Sequence, residues 1–437
     1  MPSSMLQALL NAFKIADLRQ KLVFTLAMLV VFRFIAHVPV PGVNVAALER
    51  LFEDNQFIGF LDLFSGGALA SFSIAAMGVY PYITASIIMQ LLVPVIPRLQ
   101  EISKEGESGR NRINQMTHWL TVPLAAAQAY GTPQLLNATA PGNEPIINNF
   151  GFGVNPLGTS AIIISMTAGT MLLIWIGELI TQYGIGNGVS MIIFGGIVSR
   201  LPSQIGQAIV GGTGLPAIGI FLVLGVLTVA SIVIIYEGQR RIPVQVAKRI
   251  RGSRMVGGQS THIPLKVNSA GMIPLIFASS ILIFPGTVAG YFLGVESDWG
   301  RWIAEQVYNF FNLQHSWGYW MLYFWLVVAF TFFYTLVIFQ QQNIAENLQK
   351  QGGFIPGIRP GRPTAEYLYK VLIRITLVGA LFLGAIAILP FLVRTATGIQ
   401  TLSLQSTALL IVVGVGLDTM RQLEAQLLMR HYRGFIK

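Results

Sequence analysis

The sequence predicts an all-α integral membrane protein with ten transmembrane helices. Of its 437 residues, 53% are hydrophobic and only 11% are charged, against about 25% charged residues in ordinary globular domains. A soluble fold of this size could not cover its surface with so few charges. Two further observations are a series of long apolar stretches and the one-sided distribution of Lys and Arg between them. Since cysteine is absent, disulfides and thiol chemistry are excluded.

Ten stretches approach the roughly 20 mostly apolar residues that a helix needs to cross a bilayer. The first five lie near Leu22–Val40, Ser73–Val95, Trp119–Leu136, Ala161–Ile180 and Val189–Leu201. The second five lie near Pro216–Tyr236, Gly271–Tyr291, Trp320–Phe339, Ile375–Val393 and Leu402–Met420. The fifth is short and the tenth becomes polar from Asp418, so these two are the weakest. We expect no cleavable signal peptide, because no small-residue cleavage site precedes Leu22.

The positions of Lys and Arg predict the orientation. With ten spans and the N-terminus inside, nearly all of the 28 Lys and Arg lie in cytoplasmic segments. The exceptions are Arg33 within the first span and Arg50, Arg200, Arg301 and Arg394 at the outside. Because one missed span would invert every later loop, this bias favours ten spans with both termini in the cytoplasm.

The chain divides near residue 210 into two halves, 1–210 and 211–437, with five predicted spans each. Five is an odd number, so the second half enters the membrane from the opposite side. This is the condition for an inverted repeat. No convincing sequence similarity between the halves is visible, so the repeat is permitted by the topology and is not demonstrated by it.

The segment before the second span is unusual. Residues Phe60–Phe72 read FLDLFSGGALASF, which is apolar but too short to cross a membrane. Gly66 and Gly67 weaken it as a helix. Two interpretations remain open, an amphipathic surface helix and a short re-entrant helix that occupies a pore. A half-helix at membrane depth is tolerated only where protein buries it or where it lines a cavity.

Two cytoplasmic loops, at about 237–270 and 341–374, are long and basic. The second contains GGFIPGIRPGRP, whose Gly and Pro predict turns with Arg359 and Arg362 near the tip. Orientation signalling and attraction to anionic headgroups explain basic charge in general. The length of both loops favours a docking surface for an acidic or RNA-containing partner.

The chain carries no sign of an enzymatic site. It has no GxxxxGK[ST] phosphate-binding loop, and GIGNGVS at Gly184–Ser190 lies between two spans, where it predicts a tight turn that starts a helix. We expect no cofactor and no metal. The predicted midplane lacks the carboxylates that ion-coupled transporters usually keep there. This disfavours an inverted-repeat ion-coupled transporter without excluding it, and a membrane scaffold that recruits partners is a third alternative.

Five long stretches resemble the SecY family of protein-conducting channels. They are AMGVYPYITASIIMQLL (76–92), GIGNGVSMIIF (184–194), EGQRRIPVQVAKR (237–249), STHIPLKVNSAGMIPLIFASSI (260–281) and GGFIPGIRPG (352–361). Their order, spacing and topology also match, and the resemblance covers essentially the whole chain. It implies a multi-pass protein of a bacterial cytoplasmic membrane. Its two pseudo-symmetric five-helix halves would form a clamshell around a central pore.

The resemblance also implies a pore constriction and a plug. The constriction would be a ring of aliphatic side chains: Val79, Ile83, Val189, Ile193, Ile276 and Ile411. Two of its pairs are four residues apart and so share a helix face, and such a ring excludes ions by dewetting. The plug, at about 60–72, would include Phe64, Ser65, Gly66, Gly67, Ala68 and Leu69.

The remaining implied sites are a gate towards lipid and a docking surface. The lateral gate would lie between the second and seventh spans, with Thr84, Gln128, Ser280 and Phe284. Docking of the SecA ATPase or the ribosome would use Arg240, Arg241, Arg251, Arg254 and Arg359. Implied membrane partners resemble SecE and SecG. Signal sequences and unfolded preproteins would pass through the channel, and transmembrane segments would leave sideways into lipid.

Overall fold

A computed structural model of the chain describes residues 15–44, 47–48, 50–51, 62, 65–139, 145–210, 215–246, 249–251, 254–256, 260–271, 273–293, 297–311, 317–342, 344–397 and 401–433. The first helices are α1 Ala16–Ile35, α2 Tyr80–Val95, α3 Pro97–Lys104, α4 Glu107–Thr139, α5 Pro156–Tyr183, α6 Gly188–Val210 and α7 Leu215–Glu237. The later ones are α8 Ile273–Tyr291, α9 Asp298–Phe311, α10 Trp317–Gln342, α11 Ile344–Lys350, α12 Arg362–Thr397 and α13 Thr401–Arg433. The strands are β1 Gln239–Val246, β2 Arg249–Arg251, β3 Arg254–Val256, β4 Ser260–Lys266 and β5 Gly353–Phe354.

Each of the ten predicted spans overlaps a helix over part or all of its length, so the expectation of a helical protein is confirmed. In the described part of the chain, four helices are long and apolar enough to cross a membrane by length and composition: Pro156–Tyr183, Ile273–Tyr291, Trp317–Lys350 and Arg362–Leu389. A fifth is added if α2 and α3, which meet at a bend of 99°, are counted as one broken span. The count of ten crossings stays a prediction.

The segment before α2 differs from the prediction. Phe64 lies outside the described residues, and residues 66–79 form successive turns where a helix to Phe72 and a span from Ser73 were expected. Gly66 and Gly78 adopt positive φ angles of 67° and 56°, which a helix does not permit. Helix α2 therefore begins only at Tyr80, where a proline in its first turn suits a helix start.

The chain packs as two compact units. The first comprises Met1–Leu222, Ser279–Tyr319 and Ile399–Lys437. Within it, α2 packs on α4, α4 on α5, and α5 on both α1 and α6, while α13 packs on α6. A small apolar core of Leu18, Ile185 and Leu423 joins the start of α1 to the turn before α6 and to α13. The division into halves at about residue 210 stays a prediction.

The second unit comprises Val223–Ala278 and Trp320–Gly398 and contains a small sheet in the order β4-β1-β5. Strands β1 and β4 pair antiparallel over their whole length, with Ile242 opposite Ile263. Ile242 and Val244 alternate with exposed residues and pack on the start of α12, because successive strand residues point to opposite faces. Strands β2 and β3 form a short hairpin between them. The sequence predicted a long basic loop at about 237–270, and the sheet was not foreseen.

Candidate functional site

The described part of the predicted plug is a compact loop, which we call the plug loop and define as residue 62 together with residues 65–70. The Ser65 hydroxyl donates to the Asp62 carbonyl at 2.9 Å and accepts from the Leu69 amide at 3.0 Å. The Asp62 carboxylate accepts from the Ala70 amide at 2.9 Å. Asp62, Ser65, Ala68 and Leu69 are all buried. These local bonds replace the helical bonds that the glycines prevent.

The plug loop lies between helices α1 and α6. A Cβ atom added to Gly66 would lie 2.7 Å from Cζ of Phe32 in α1, and one added to Gly196 in α6 would lie 2.2 Å from the Gly66 Cα. Only two facing glycines permit this approach. Nη1 of Arg33 donates to the Gly66 carbonyl at 3.0 Å. The loop is therefore seated by an aromatic ring, a glycine contact and a cationic donor.

A second attachment follows the plug loop. The Val40 amide donates to the Phe72 carbonyl and the Ile74 amide donates to the Val38 carbonyl, each at 3.0 Å. The Ser71 hydroxyl donates to the Ala36 carbonyl at 2.8 Å. Backbone bonds thus tie residues 71–74 to the chain that follows α1. Phe72, fully buried, adopts a φ of 40°, a conformation that persists only where the surroundings enforce it.

A small polar cavity of about 30 Å³ lies beside the plug loop, between helices α2, α4 and α8. Leu69 of the plug loop lines it together with polar side chains from the three helices: Tyr80, Gln128, Thr132, Thr287 and Tyr291. The Tyr80 hydroxyl donates to the Ser280 carbonyl of α8 at 3.1 Å. A hydrogen bond therefore joins the helices of the predicted second and seventh spans next to the plug loop.

Helices α4 and α8 approach closely through glycines. A Cβ atom on Gly131 would lie 2.2 Å from Cζ of Tyr291, and one on Gly290 would lie 2.2 Å from Cδ1 of Leu135. The ring of Tyr291 thus lies directly on the α4 backbone. These contacts pack α4 directly against α8. The small cavity beside them leaves little room for water next to the polar side chains that line it.

The four predicted gate residues lie in different environments. Gln128 lines the cavity, and Ser280 contributes its backbone carbonyl. Thr84 is buried, but its hydroxyl donates to the Tyr80 carbonyl within α2. Phe284 is 42% exposed and lines an apolar groove of about 460 Å³ between α8 and α9. Gln128 and Ser280 therefore belong to the polar groups around the small cavity, which we call the polar cluster: Tyr80, Gln128, Thr132, Ser280, Thr287 and Tyr291.

The six predicted ring residues are mostly buried. Val79, Ile83, Ile193, Ile276 and Ile411 are at most 9% exposed, and Val189 is half-buried. Val79 caps α2, and its carbonyl accepts from the Ile83 amide at 3.1 Å. Ile193 and Ile411 stand on α6 and α13, which pack on each other. Ile276 belongs to the second unit, and the closure of one ring stays a prediction.

The predicted docking arginines are on strand β1, in the β2–β3 hairpin and on the turn before α12. Arg240 and Arg241 are exposed on β1, and Arg359 is exposed while its carbonyl accepts from the Thr364 hydroxyl at 2.8 Å. Arg251 and Arg254 are directly opposite each other in the β2–β3 hairpin. All five belong to the second unit, which therefore carries the predicted docking surface.

Sequence reasoning missed four residues that the structure brings to this site: Arg33, Tyr80, Gly131 and Tyr291. The sequence showed Arg33 as a lone cation within the first predicted span, and such a position indicates that the side chain needs a partner. Tyr80 stands inside the GVYPYI stretch that carried the resemblance. Nothing in the sequence distinguished Gly131 or Tyr291 from other glycines and aromatic residues of apolar helices, since only the approach of α4 to α8 gives them a role.

The fold defines a polytopic helical membrane protein. The structure aligns with one titled as a protein-conducting channel, at TM-score 0.60 and 18% identity over 93% of this chain and 92% of that chain. It aligns with a second, whose title concerns the plug domain of SecY, at TM-score 0.62 and 20% identity over the same shares. At this identity the likeness describes the fold alone.

The sequence comparisons identify the family. The SecY family model matches residues 73–420. A protein translocase subunit SecY from Halalkalibacterium halodurans is 45% identical, covering 99% of this chain and 100% of its own. One from Thermotoga maritima is 43% identical, covering 99% of this chain and 98% of its own. The chain belongs to the SecY family.

Proposed function

We propose that the chain is the channel-forming subunit of a protein translocase, through which unfolded secretory polypeptides cross the cytoplasmic membrane. The observation that carries this proposal is identity above 40%, end to end, with proteins named as translocase subunits. Hydrophobic segments leave sideways into lipid. The ion-coupled transporter alternative has no support among these relatives. The chain performs no covalent chemistry, so its partners supply the energy that drives the polypeptide across the membrane.

Within this function, the plug loop seals the resting channel. Its burial, its seat between α1 and α6 and its attachment at residues 71–74 support this role. The six aliphatic residues predicted above form the constriction that surrounds a translocating chain, with the remaining spans completing ten crossings and two inverted halves. An aliphatic ring makes no specific bond to a passing peptide, yet it excludes ions by dewetting.

The polar cluster between α2, α4 and α8 holds the lateral gate closed. The Tyr80–Ser280 hydrogen bond and the contact of Tyr291 with Gly131 are its described links. Interhelical hydrogen bonds in membrane proteins average about 0.6 kcal/mol. A few such bonds are weak enough for a hydrophobic signal sequence to displace, because its insertion buries apolar surface at the same place.

The exposed arginines of the second unit form the cytoplasmic docking surface. Two similar structures have titles that describe Sec61 in a canine ribosome–channel complex and a yeast Ssh1 complex bound to the ribosome. Ribosomal RNA and the acidic face of a motor ATPase both suit a basic surface. We therefore include the ribosome, SecA, and SecE-like and SecG-like membrane subunits among the partners, with both termini in the cytoplasm.

Reconstitution into proteoliposomes tests the function. The chain is purified with SecE-like and SecG-like subunits, and SecA, ATP and a secretory precursor are added outside. ATP-dependent protection of the precursor from protease is the expected result. Absence of protection, with the complex intact and SecA bound, would contradict the channel and favour a docking scaffold. Uptake of a small solute, coupled to an ion gradient, would instead support the transporter.

A further inference from the structure

Arg33 is an exception to two general rules of membrane proteins. It stands in the last turn of α1, inside the first predicted span and towards its outer end. A cation within a span costs free energy, and one near the outer side opposes the bias that orients the chain. The helix dipole favours a cation in the last turn of a helix. That benefit does not require burial, because a side chain exposed to water at the same position would also gain it. The cost of Arg33 therefore calls for a specific partner.

The partner is the plug loop. The guanidinium of Arg33 donates from Nη1 to the carbonyl of Gly66, 33 residues further along the chain, at 3.0 Å and partly buried. The residue before it, Phe32, is fully buried and has its ring against Gly66. Adjacent residues of α1 thus provide an apolar contact and a charge-assisted hydrogen bond to one glycine. Such hydrogen bonds are roughly twice as strong as neutral ones.

The two attachments of the plug loop differ in kind. Residues 71–74 are held by backbone bonds to residues 38–40 and by the Ser71 hydroxyl. The turn at Gly66 is held by packing and by one long, flexible side chain. Backbone pairing constrains both chains along their length, whereas a guanidinium can leave a carbonyl by changing its rotamers. The loop therefore has a fixed end and a releasable end.

We propose that Arg33 is the latch of the plug loop. Its hydrogen bond to the Gly66 carbonyl holds the loop in its seat. Loss of that bond frees the turn at Gly66 to leave the seat, with the loop hinging where the Phe72 and Ser73 amides bond the Leu69 and Ala68 carbonyls. Arg33 is a positioning residue in this role, since it touches the seal and not the translocating chain. The inference rests on the proposed function in one respect, namely that displacement of the loop opens the channel.

The experiment measures loop position separately from channel activity. Because the chain has no cysteine, Ala68→Cys introduces a single thiol at a fully buried position of the loop. Ala75→Cys, equally buried beyond the fixed end, is the matched control. Each is combined with Arg33→Met, which removes the donor but keeps a long side chain, in the complete complex in proteoliposomes. Labelling by a water-soluble maleimide and resting ion conductance are recorded on the same preparations.

We expect Arg33→Met to speed labelling at position 68 about tenfold, since losing a charge-assisted bond from one of two states shifts their ratio by about that factor. Labelling at position 75 should not change. Arg33→Lys, which keeps the charge on a compact ammonium group but lacks the planar guanidinium fork, should restore protection in part. Arg50→Met removes an arginine that is exposed and should behave as the parent protein.

The outcomes separate the latch from the channel. Unchanged protection at position 68 in Arg33→Met would overturn the latch, and so would equal labelling at positions 68 and 75, because it would indicate general loosening. A rise in conductance with position 68 still protected would also overturn it, since ions would then pass by another route. Faster labelling at position 68 without any rise in conductance would support the latch and contradict the sealing role of the loop.

Discussion

Gly131 shows how one missing side chain sets the distance between two helices. The ring of Tyr291 occupies the space where a Cβ would stand, so the two backbones approach more closely than larger residues permit. Small residues at such contacts are the usual means of packing membrane helices, because lipid supplies no hydrophobic force between them. A directional hydrogen bond holds α8 to a second neighbour, since the Tyr80 hydroxyl of α2 donates to the Ser280 carbonyl of α8.

At this scale we predict that Gly131→Ala favours the open gate. The added methyl group would force Tyr291 away from α4, at a cost of about 1–3 kcal/mol in the closed state. The complex should then translocate precursors with defective signal sequences in the reconstituted protease-protection assay. Gly416→Ala is the control, because an added Cβ there meets nothing within 4 Å. Equal signal-sequence dependence of both variants would contradict the role of this contact.

At the scale of an element, the plug loop is shaped by its glycines and by its own polar groups. Asp62 and Ser65 satisfy the amides of Ala70 and Leu69, which the turns leave without helical partners. Residues 71–74 bond both to the loop, through the Phe72 and Ser73 amides to the Leu69 and Ala68 carbonyls, and to residues 38–40 outside it. Only the bonds to residues 38–40 are independent of the loop. The loop can therefore be removed or displaced without unpairing the chain that follows α1.

We predict that deleting residues 65–70 raises resting ion conductance while the complex still assembles. The attachment at residues 71–74 stays in place and keeps the start of α2 fixed, so the change should open the seal without unfolding the helices. Single-channel recordings in planar bilayers measure the effect, and size-exclusion chromatography with the partner subunits checks assembly. Resting conductance equal to that of the full chain, with assembly intact, would refute the sealing role.

At the scale of the whole molecule, the plug loop belongs to the first compact unit and the five predicted docking arginines belong to the second. The sheet β4-β1-β5 rests on its own apolar core of Ile242, Val244, Leu265, Ile355 and Leu368. That core holds β1 rigidly, and with it the exposed arginines at positions 240 and 241. A rigid basic surface provides affinity for an acidic or RNA partner without ordering a loop on binding.

We predict that Arg359→Glu abolishes SecA-driven transport and leaves the fold intact. The Arg359 side chain is exposed, and its structural bond is made by the backbone carbonyl to Thr364, so the substitution reverses a surface charge without a folding cost. Translocation in proteoliposomes and thermal unfolding of the purified complex measure the two effects. Arg362→Glu is a control, because Arg362 pairs with Glu366 beside it. Normal SecA-driven transport by Arg359→Glu would disprove the assigned docking role.

The sequence by itself determined the membrane class and the helical segments, because these depend on composition and on hydrophobic length, which are local properties. The orientation stays a prediction from the distribution of Lys and Arg. The family followed from long motifs in order. The tertiary structure decided the long-range contacts, which local sequence patterns do not predict. The bonds of residues 72–74 to residues 38–40, the pairing of β1 with β5, the seat of Gly66 against Gly196 and the partner of Arg33 all join segments distant in sequence. These features are stabilised by contacts that form only when the helices pack against one another.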